Sequence, residues 1–283
     1  MDTTVDGNQD KRFVSRAFRE EGIERMAMVY SVVNQKGGVG KTTTAVNLAT
    51  YMALSGAKTL MVDLDPQGNA TSGIGVDRNK VKASSYEVLI EGKPVADAIM
   101  PTNVVNLSLL PATLDLAGAD LELLNKPERE HALRKGLEPA RDYFEYILID
   151  GPPSLGLLTV NSLVAADAVI IPIQTEYYAL EGISQLLKTI ELVKRQLNPS
   201  LEIGKVILTM YDNRTRLANQ VVAEVRNYFH GKVASTIVPR NVRLSEAPSH
   251  GLPVALYDPK SRGAMAYREI AQEVLRNGKE RTR

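Results

Sequence analysis

The chain has 283 residues, of which 44% are hydrophobic, so it can bury a sizeable core. Lysine and arginine number 34 and aspartate and glutamate 33, which leaves a formal net charge of +1. Binding to nucleic acid would therefore require locally clustered positive charge. The sequence contains no cysteine, which excludes disulfides, thiolate metal sites and cysteine-held iron–sulfur clusters. This composition is typical of a globular enzyme of the cytoplasm.

The first 25 residues differ from the remainder of the chain. They are polar, mixed in charge and without hydrophobic periodicity, so we interpret residues 1–25 as a disordered extension before a single domain at 26–283. Met26 and Met28 leave the natural translation start open. The longest apolar runs, such as residues 168–173, are much shorter than the roughly 18 residues of a membrane span.

Short β-branched runs alternate with amphipathic patterns along the domain. The predicted strands are, in chain order, residues 29–34, 59–64, 105–110, 146–150, 168–173, 205–210 and 233–238. The clearest predicted helices are residues 42–54, 180–196, 217–229 and 264–276. Apolar strands that alternate with helices predict an α/β fold with one doubly wound, mostly parallel sheet and helices on both faces.

A glycine-rich loop joins the first predicted strand to the first predicted helix. In a P-loop, glycines let successive N–H groups face a phosphate, and the N-terminus of the helix adds positive potential. This pattern places Lys41 at the β- and γ-phosphates and the Thr42 hydroxyl on Mg²⁺. Gln35 replaces the first glycine of the usual pattern, and Lys36 is an additional lysine, for which a solvated loop charge is the alternative. The predicted phosphate-binding residues are Lys36, Gly37, Gly38, Val39, Gly40, Lys41, Thr42 and Thr43.

Carboxylates follow two predicted strands at their carboxyl ends, where α/β sheets bind ligands. Asp63 and Asp65 follow one strand, and Asp150 ends another. Such carboxylates can hold Mg²⁺ directly or through water, because this cation prefers oxygen ligands and retains several waters. Helix capping is the alternative for Asp63 and Asp65.

Seven strings in one order across residues 28–276 resemble the ParA/Soj-type partition ATPases, which carry a deviant Walker A loop. They are KGGVGKTTTAVNLA, VDLDPQGNATSGIG, LLPATLDLAGADLEL, ILIDGPPSLGLLTVNSL, QTEYYALEGISQLL, LTMYDNRT and VPRNVRLSEAPSHGLP. The resemblance implies ATP and Mg²⁺ as cofactors and an ATP-bound sandwich homodimer. It implies that Lys36 crosses the dimer interface to the partner's phosphates, much as an arginine finger does.

The resemblance also implies roles for individual residues. Lys36, Lys41 and Asp65 would be catalytic, with Asp65 helping to position the attacking water. Thr42, Asp65 and Asp150 would lie on the Mg²⁺ side. No histidine is placed to act as a base, because His131, His230 and His250 are scattered along the sequence. We therefore expect slow hydrolysis driven by positioning and electrostatics. The predicted neighbours of the adenine are Met210, Pro239, Arg240 and Asn241.

Arginines concentrate in the last third of the sequence. Arg214 and Arg243 match family positions that contact DNA, and solvated surface arginines are the alternative interpretation. Non-specific binding needs only phosphate neutralisation, so no base-reading motif is required. The resemblance further implies a ParB/Spo0J-type centromere-binding partner, double-stranded DNA as ligand, and a location on the nucleoid.

Three other classes of protein compete with this interpretation. A MinD-like membrane-associated regulator shares the deviant loop, but it ends in a basic amphipathic helix. We expect Gly278 to end the last helix here, and therefore no stable membrane association. A regulatory GTPase lacks support because residues 125–128 (NKPE) do not complete a guanine-binding motif. A DNA-coating protein that does not hydrolyse nucleotide is the third alternative.

Overall fold

One seven-stranded sheet forms the centre of the molecule in the computed structural model, which describes residues 26–176 and 183–281. The strand order is β3-β4-β2-β5-β1-β6-β7, and every neighbouring pair is parallel except the antiparallel pair β3–β4. The predicted mostly parallel α/β sheet is confirmed. The strands are β1 (Met28–Val32), β2 (Thr59–Asp63), β3 (Met100–Pro101), β4 (Leu107–Leu110), β5 (Tyr146–Asp150), β6 (Ala168–Gln174) and β7 (Glu202–Thr209).

Eleven α-helices connect and follow these strands in the described part of the chain. They are α1 (Lys41–Leu54), α2 (Asn69–Gly73), α3 (Val95–Ala98), α4 (Ala119–Leu123), α5 (Ala132–Arg141), α6 (Leu157–Ala165), α7 (Ile183–Gln196), α8 (Arg216–Tyr228), α9 (Val242–Glu246), α10 (Val254–Tyr257) and α11 (Arg262–Arg281). Shorter helical turns lie at Arg78–Lys80, Glu87–Glu91, Leu114–Gly118, Arg129–His131 and Ala247–His250.

The two faces of the sheet bury separate apolar clusters. Along β2, Leu60 and Val62 face one cluster and Met61 faces the other, because side chains alternate along a strand. Helices α4 to α8 cover the first face, and α1, α2 and α11 cover the second. The central helix α1 buries 11 of its 14 residues, which explains why its sequence is apolar on nearly all sides.

The prediction of a strand at residues 233–238 was wrong. The structure has only two isolated β-bridges in this region among the described residues, Val206–Val233 and Tyr211–Pro239. Between them, the backbone N–H of Ser235 donates to a carboxylate oxygen of Glu273 at 3.0 Å. The backbone N–H groups of Ala234 and Val238 still donate to the carbonyls of Val206 and Leu208 at 2.8 and 2.9 Å, so the segment follows the edge of β7 without forming a continuous ladder. The two-residue antiparallel strand β3 was not predicted, and it contains a proline, which is tolerated at a sheet edge.

Gly278 does not end the last helix, which corrects the expectation from the sequence. Helix α11 continues to Arg281. A Cβ atom at Gly278 would lie 3.0 Å from the hydroxyl oxygen of Tyr146, so the glycine allows close packing against β5. Within the described residues, no helix is long and apolar enough to cross a bilayer. The extension predicted at residues 1–25 and the start of the helix predicted at 180–196 lie outside the described residues.

Candidate nucleotide-binding site

The glycine-rich loop lies between the carboxyl end of β1 and the first turn of α1. Gly38 and Gly40 adopt left-handed backbone angles, with φ of 73° and 89°, which glycine accepts at least cost. No atom lies within 4 Å of a Cβ built at Gly37, so open space remains beside the loop. The predicted loop therefore has the conformation and the free space that a phosphate cradle needs.

Contacts from distant parts of the chain hold this loop in place. The side-chain amide of Asn34 donates to the Pro172 carbonyl at 2.7 Å and accepts the backbone N–H of Lys36 at 3.0 Å. On the other side, the Thr209 hydroxyl donates to the carbonyl of Val39 at 2.8 Å. Sequence reasoning missed both supports, although each is a polar residue at the end of a hydrophobic strand.

Lys41 is buried inside the loop. Its ammonium donates to the carbonyl of Lys36 at 3.1 Å, which directs the side chain along the inner surface of the loop. Burial lowers the pKa of Lys41, and the nearby carboxylates of Asp150 and Asp65 oppose that shift. The structure therefore brings together the predicted phosphate-binding lysine and two of the predicted metal-side carboxylates.

Asp63 and Asp150 are register partners on β2 and β5, but their surroundings differ. Asp63 accepts the backbone N–H and the hydroxyl of Thr71 at 2.8 and 2.7 Å, and the backbone N–H of Asp65 at 3.2 Å. Burial raises the pKa of Asp63 to about 6, and these donors oppose the shift. Asp63 is thus an anchor for α2, which matches the capping alternative.

Asp150 is fully buried, and neither of its carboxylate oxygens has a hydrogen-bond partner among the described residues. Burial raises its pKa well above 3.8, and the neighbouring Asp63 adds to the shift. The Thr42 hydroxyl is near enough to lower this pKa but does not reach either oxygen with hydrogen-bond geometry. An unsatisfied buried carboxylate beside a threonine hydroxyl is a fitting donor set for Mg²⁺.

The donor set is small. Within the described residues, no group of three or more His, Cys, Asp or Glu side chains is arranged to hold a metal ion. Mg²⁺ commonly takes only one or two carboxylates from the protein and completes its shell with phosphate oxygens and water. Thr42 and Asp150 therefore fit a magnesium ion that arrives with a nucleotide.

Asp65 lies beyond the end of β2 in a tight turn. One of its carboxylate oxygens accepts the backbone N–H of Gln67 at 2.9 Å, and its carbonyl accepts the N–H of Gly68 at 2.8 Å. The side chain is largely buried, with 7% of the residue exposed. This turn fixes Asp65 near Lys41 and Asp150, as the sequence predicted.

The ammonium of Lys36 has different surroundings from the buried ammonium of Lys41. Its ammonium is 3.6 Å from a carboxylate oxygen of Glu176, and the two side chains are 40% and 50% exposed. The side chain therefore reaches the chain just after β6 and remains partly open to solvent. Glu176 was not among the predicted site residues.

A cavity of about 370 Å³ adjoins the loop and contains all four predicted adenine neighbours, Met210, Pro239, Arg240 and Asn241. Met210 has a left-handed φ of 54°, which is uncommon for a residue with a side chain. Gly40 and Thr43 belong to the phosphate-binding segment and also line the cavity, so the two are adjacent. Its other lining residues are Gly40, Thr43, Thr209, Val238, Val242, Leu244, Ser245 and Tyr267.

The two predicted DNA-contacting arginines lie close in sequence to residues that line this cavity: Arg214 follows Met210, and Arg243 lies between Val242 and Leu244. Arg214 is 84% exposed and forms a paired contact with Asp212, at 2.8 and 2.6 Å. Arg243 is 48% exposed, 2.8 Å from Glu246 and 3.3 Å from Asp258. Both arginines are thus on the surface, and both are paired with acidic side chains.

A parallel sheet with a glycine-rich loop before a buried helix, and an adjacent cavity for a base, defines a P-loop nucleotide-binding protein. A family model described as an AAA domain matches residues 27–203. The Bacillus subtilis (strain 168) sporulation initiation inhibitor protein Soj is 54% identical over 253 residues, which cover 89% of this chain and 100% of the relative. The Treponema pallidum (strain Nichols) chromosome-partitioning ATPase Soj is 51% identical over 243 residues, covering 86% and 95%.

Solved structures agree with this assignment. A crystal structure described as cobyrinic acid a,c-diamide synthase from Mycobacterium smegmatis, with bound ATP analogue and magnesium, superposes with a TM-score of 0.79. It is 39% identical, and the match covers 89% of this chain and 96% of that one. The chain belongs to the ParA/Soj family of partition ATPases.

Proposed function

We propose that the chain is an ATP-dependent DNA-partitioning ATPase. ATP binding joins two subunits in a sandwich dimer, and the dimer binds double-stranded DNA without sequence preference. Hydrolysis, stimulated by a ParB/Spo0J-type partner, then releases the DNA and so segregates a chromosome or plasmid on the nucleoid. The observation that carries this proposal is the ammonium of Lys36, which is half-exposed beside Glu176 and so is accessible to a partner subunit.

The hydrolytic site is built from groups that bind and orient. ATP with Mg²⁺ supplies the phosphoanhydride bond and the Lewis acid. Lys41 neutralises phosphate charge, Thr42 and Asp150 hold the metal, and Asp65 orients water. None of the residues assigned to the phosphate loop or to the metal side is a histidine. We therefore expect slow turnover that depends on positioning and electrostatics, which suits a switch.

DNA binding depends on the same ATP-bound dimer. Exposed ion pairs such as Arg214–Asp212 and Arg243–Glu246 are weak, so a DNA phosphate can replace the carboxylate. Each subunit contributes two such arginines, and dimerisation doubles that number. Because non-specific affinity rises steeply with the number of phosphates neutralised, dimerisation alone can switch DNA binding on.

The proposal is tested by DNA retention in ATP, in ADP and without nucleotide, at two salt concentrations. We expect retention only in ATP, with equal affinity for unrelated sequences and a steep loss at the higher salt. Retention that is independent of nucleotide, or that depends on sequence, would contradict the proposal.

A second arm of this experiment adds ATP and lipid vesicles without DNA. Strong sedimentation with the vesicles would favour the MinD-like alternative. Gly278 no longer argues against that alternative, since α11 continues past it. The apolar side chains of α11 provide a different argument, because Tyr267, Ile270 and Val274 are buried against α1 and the sheet. They are not free to enter a bilayer.

A further inference from the structure

Residues 239–258, here called the arginine segment, run from the base cavity over α1 and contain Arg243. Residues of the segment on both sides of Arg243 line the cavity, from Pro239 to Val242 and then Leu244 and Ser245. The backbone N–H of Arg240 donates to the carbonyl of Tyr211 at 3.0 Å, and the side chain of Asn241 accepts the N–H of Arg243 at 2.9 Å. A base in the cavity would therefore contact the chain on both sides of Arg243.

The far part of the segment is attached to the helix that follows the phosphate loop. The backbone N–H of Val254 donates to the side-chain oxygen of Asn47 at 2.9 Å. The amide nitrogen of Asn47 donates to the carbonyl of Thr43 at 2.8 Å. Asn47 is only 4% exposed, and Thr43 lines the cavity. One buried side chain thus joins the segment to the first turn of α1.

A third contact joins the segment to the chain that follows Asp65. A Cβ atom at Gly75 would lie 2.7 Å from the carbonyl oxygen of Gly251, so the two backbones touch directly. Gly75 comes just after α2, and α2 is anchored to the sheet by Asp63. The arginine segment therefore contacts the base cavity, the phosphate-loop helix and the element after Asp65.

We propose that the arginine segment transmits nucleotide occupancy to Arg243, and that Asn47 is the positioning residue that makes this possible. This inference deepens the proposed function and rests on it for the role of Arg243. A base that displaces the cavity-lining residues while Asn47 holds the far end would move Arg243 relative to α1. Of the two acidic partners of Arg243, Glu246 lies near the cavity end and Asp258 lies in the held end, so such a movement would also alter the pairing of Arg243.

Asn47→Ala removes the attachment and leaves the backbone N–H of Val254 without an acceptor. The matched control is Asn161→Ala. Asn161 is also fully buried, accepts the N–H of Leu133 at 3.0 Å and donates to the carbonyl of Arg129 at 2.8 Å. It joins α5 and α6 on the opposite face of the sheet, so its loss tests for general destabilisation. Asn47→Asp keeps an acceptor for Val254 and should restore the coupling if the alanine variant folds poorly.

The measurement is hydrogen exchange of peptides from the arginine segment, with and without saturating non-hydrolysable ATP analogue and Mg²⁺. We expect the nucleotide to slow exchange in wild type by about five-fold or more, as ordinary coupling between two sites produces. That response should be lost in Asn47→Ala and kept in Asn161→Ala and Asn47→Asp. DNA affinity is measured in parallel, and its ratio between ATP and ADP should fall by about five-fold only in Asn47→Ala.

Two results would overturn the inference: no nucleotide response of the segment in wild type, or the same response in wild type and Asn47→Ala. An equal loss in Asn47→Ala and Asn161→Ala would also overturn it, because the effect would then be general. If exchange depends on Asn47 but wild type does not bind DNA more tightly in ATP, transmission to the segment stands and the proposed function fails.

Discussion

Replacing Asp150 with asparagine should stabilise the nucleotide-free protein at pH 8. Asp150 is buried without a hydrogen-bond partner among the described residues, and it is the register partner of Asp63. Neighbouring strands lie about 4.8 Å apart. Two charges at about that distance repel by roughly 3 kcal/mol at an effective dielectric constant of 20. An amide removes this repulsion, so the melting temperature should rise by up to about 10 °C for a chain of this size.

The gain in stability of Asp150→Asn over wild type should depend on pH. Burial raises the pKa of Asp150 above 3.8, so the folded state keeps a proton that the unfolded state releases. Wild type therefore loses stability as the pH rises from 3.8 through the raised pKa, and at pH 4 it should match the variant. Asp63 acts with the same sign between 3.8 and about 6 in wild type, and because the two carboxylates interact, the difference between the proteins reports on the pair.

The assay is thermal unfolding at pH 4 and pH 8, in EDTA and then with ATP analogue and Mg²⁺. Wild type should gain stability from the bound ligand, and Asp150→Asn should lose most of that gain. Asp63→Asn is the contrasting variant, because donors approach both oxygens of Asp63 and an amide can accept at only one. A fall in melting temperature for Asp150→Asn at both pH values would refute the reasoning, since it would show that the carboxylate is a satisfied structural group.

Three further outcomes follow from the site. Lys36→Ala should abolish ATP-driven dimerisation in gel filtration but retain nucleotide binding. Glu176→Gln should strengthen dimerisation by about two- to thirty-fold, because each dimer breaks two exposed Lys36–Glu176 pairs. As a control, Glu128→Gln in another exposed ion pair should leave dimerisation unchanged. Asp65→Ala should accumulate as an ATP-bound dimer on DNA, and a monomer in ATP would contradict its role. Arg243→Glu should weaken DNA retention at least ten-fold with unchanged nucleotide affinity, and an equal loss of both would indicate misfolding.

The sequence predicted the elements that depend on local pattern. The β-branched runs at β2 and β5 are strands within one or two residues of their predicted bounds, and the glycine-rich loop lies where the strand-to-helix transition placed it. Asp150 and Lys41 come together because the carboxyl ends of parallel strands meet at one edge of a sheet. These features need no knowledge of distant contacts.

The features that the sequence could not predict depend on contacts between distant residues. Thr209 supports the loop from 170 positions away, and Asn47 reaches Val254 across 207. The strand predicted at 233–238 is reduced to isolated bridges with β7, and Glu273 of α11 accepts the backbone N–H of Ser235 within this segment. Local β propensity does not predict this outcome, because it depends on the tertiary contacts at the edge of the sheet.

A single subunit is incomplete in two ways, and the proposed cycle uses both. Asp150 has no hydrogen-bond partner among the described residues, so Mg²⁺ that arrives with ATP would satisfy a buried carboxylate. The Lys36 ammonium makes an exposed contact with Glu176, which contributes little stability in water. In the proposed cycle, free energy for dimerisation would come from the phosphates that Lys36 reaches in the partner subunit. Since ADP lacks the γ-phosphate, its loss on hydrolysis removes that contribution, and the dimer should separate.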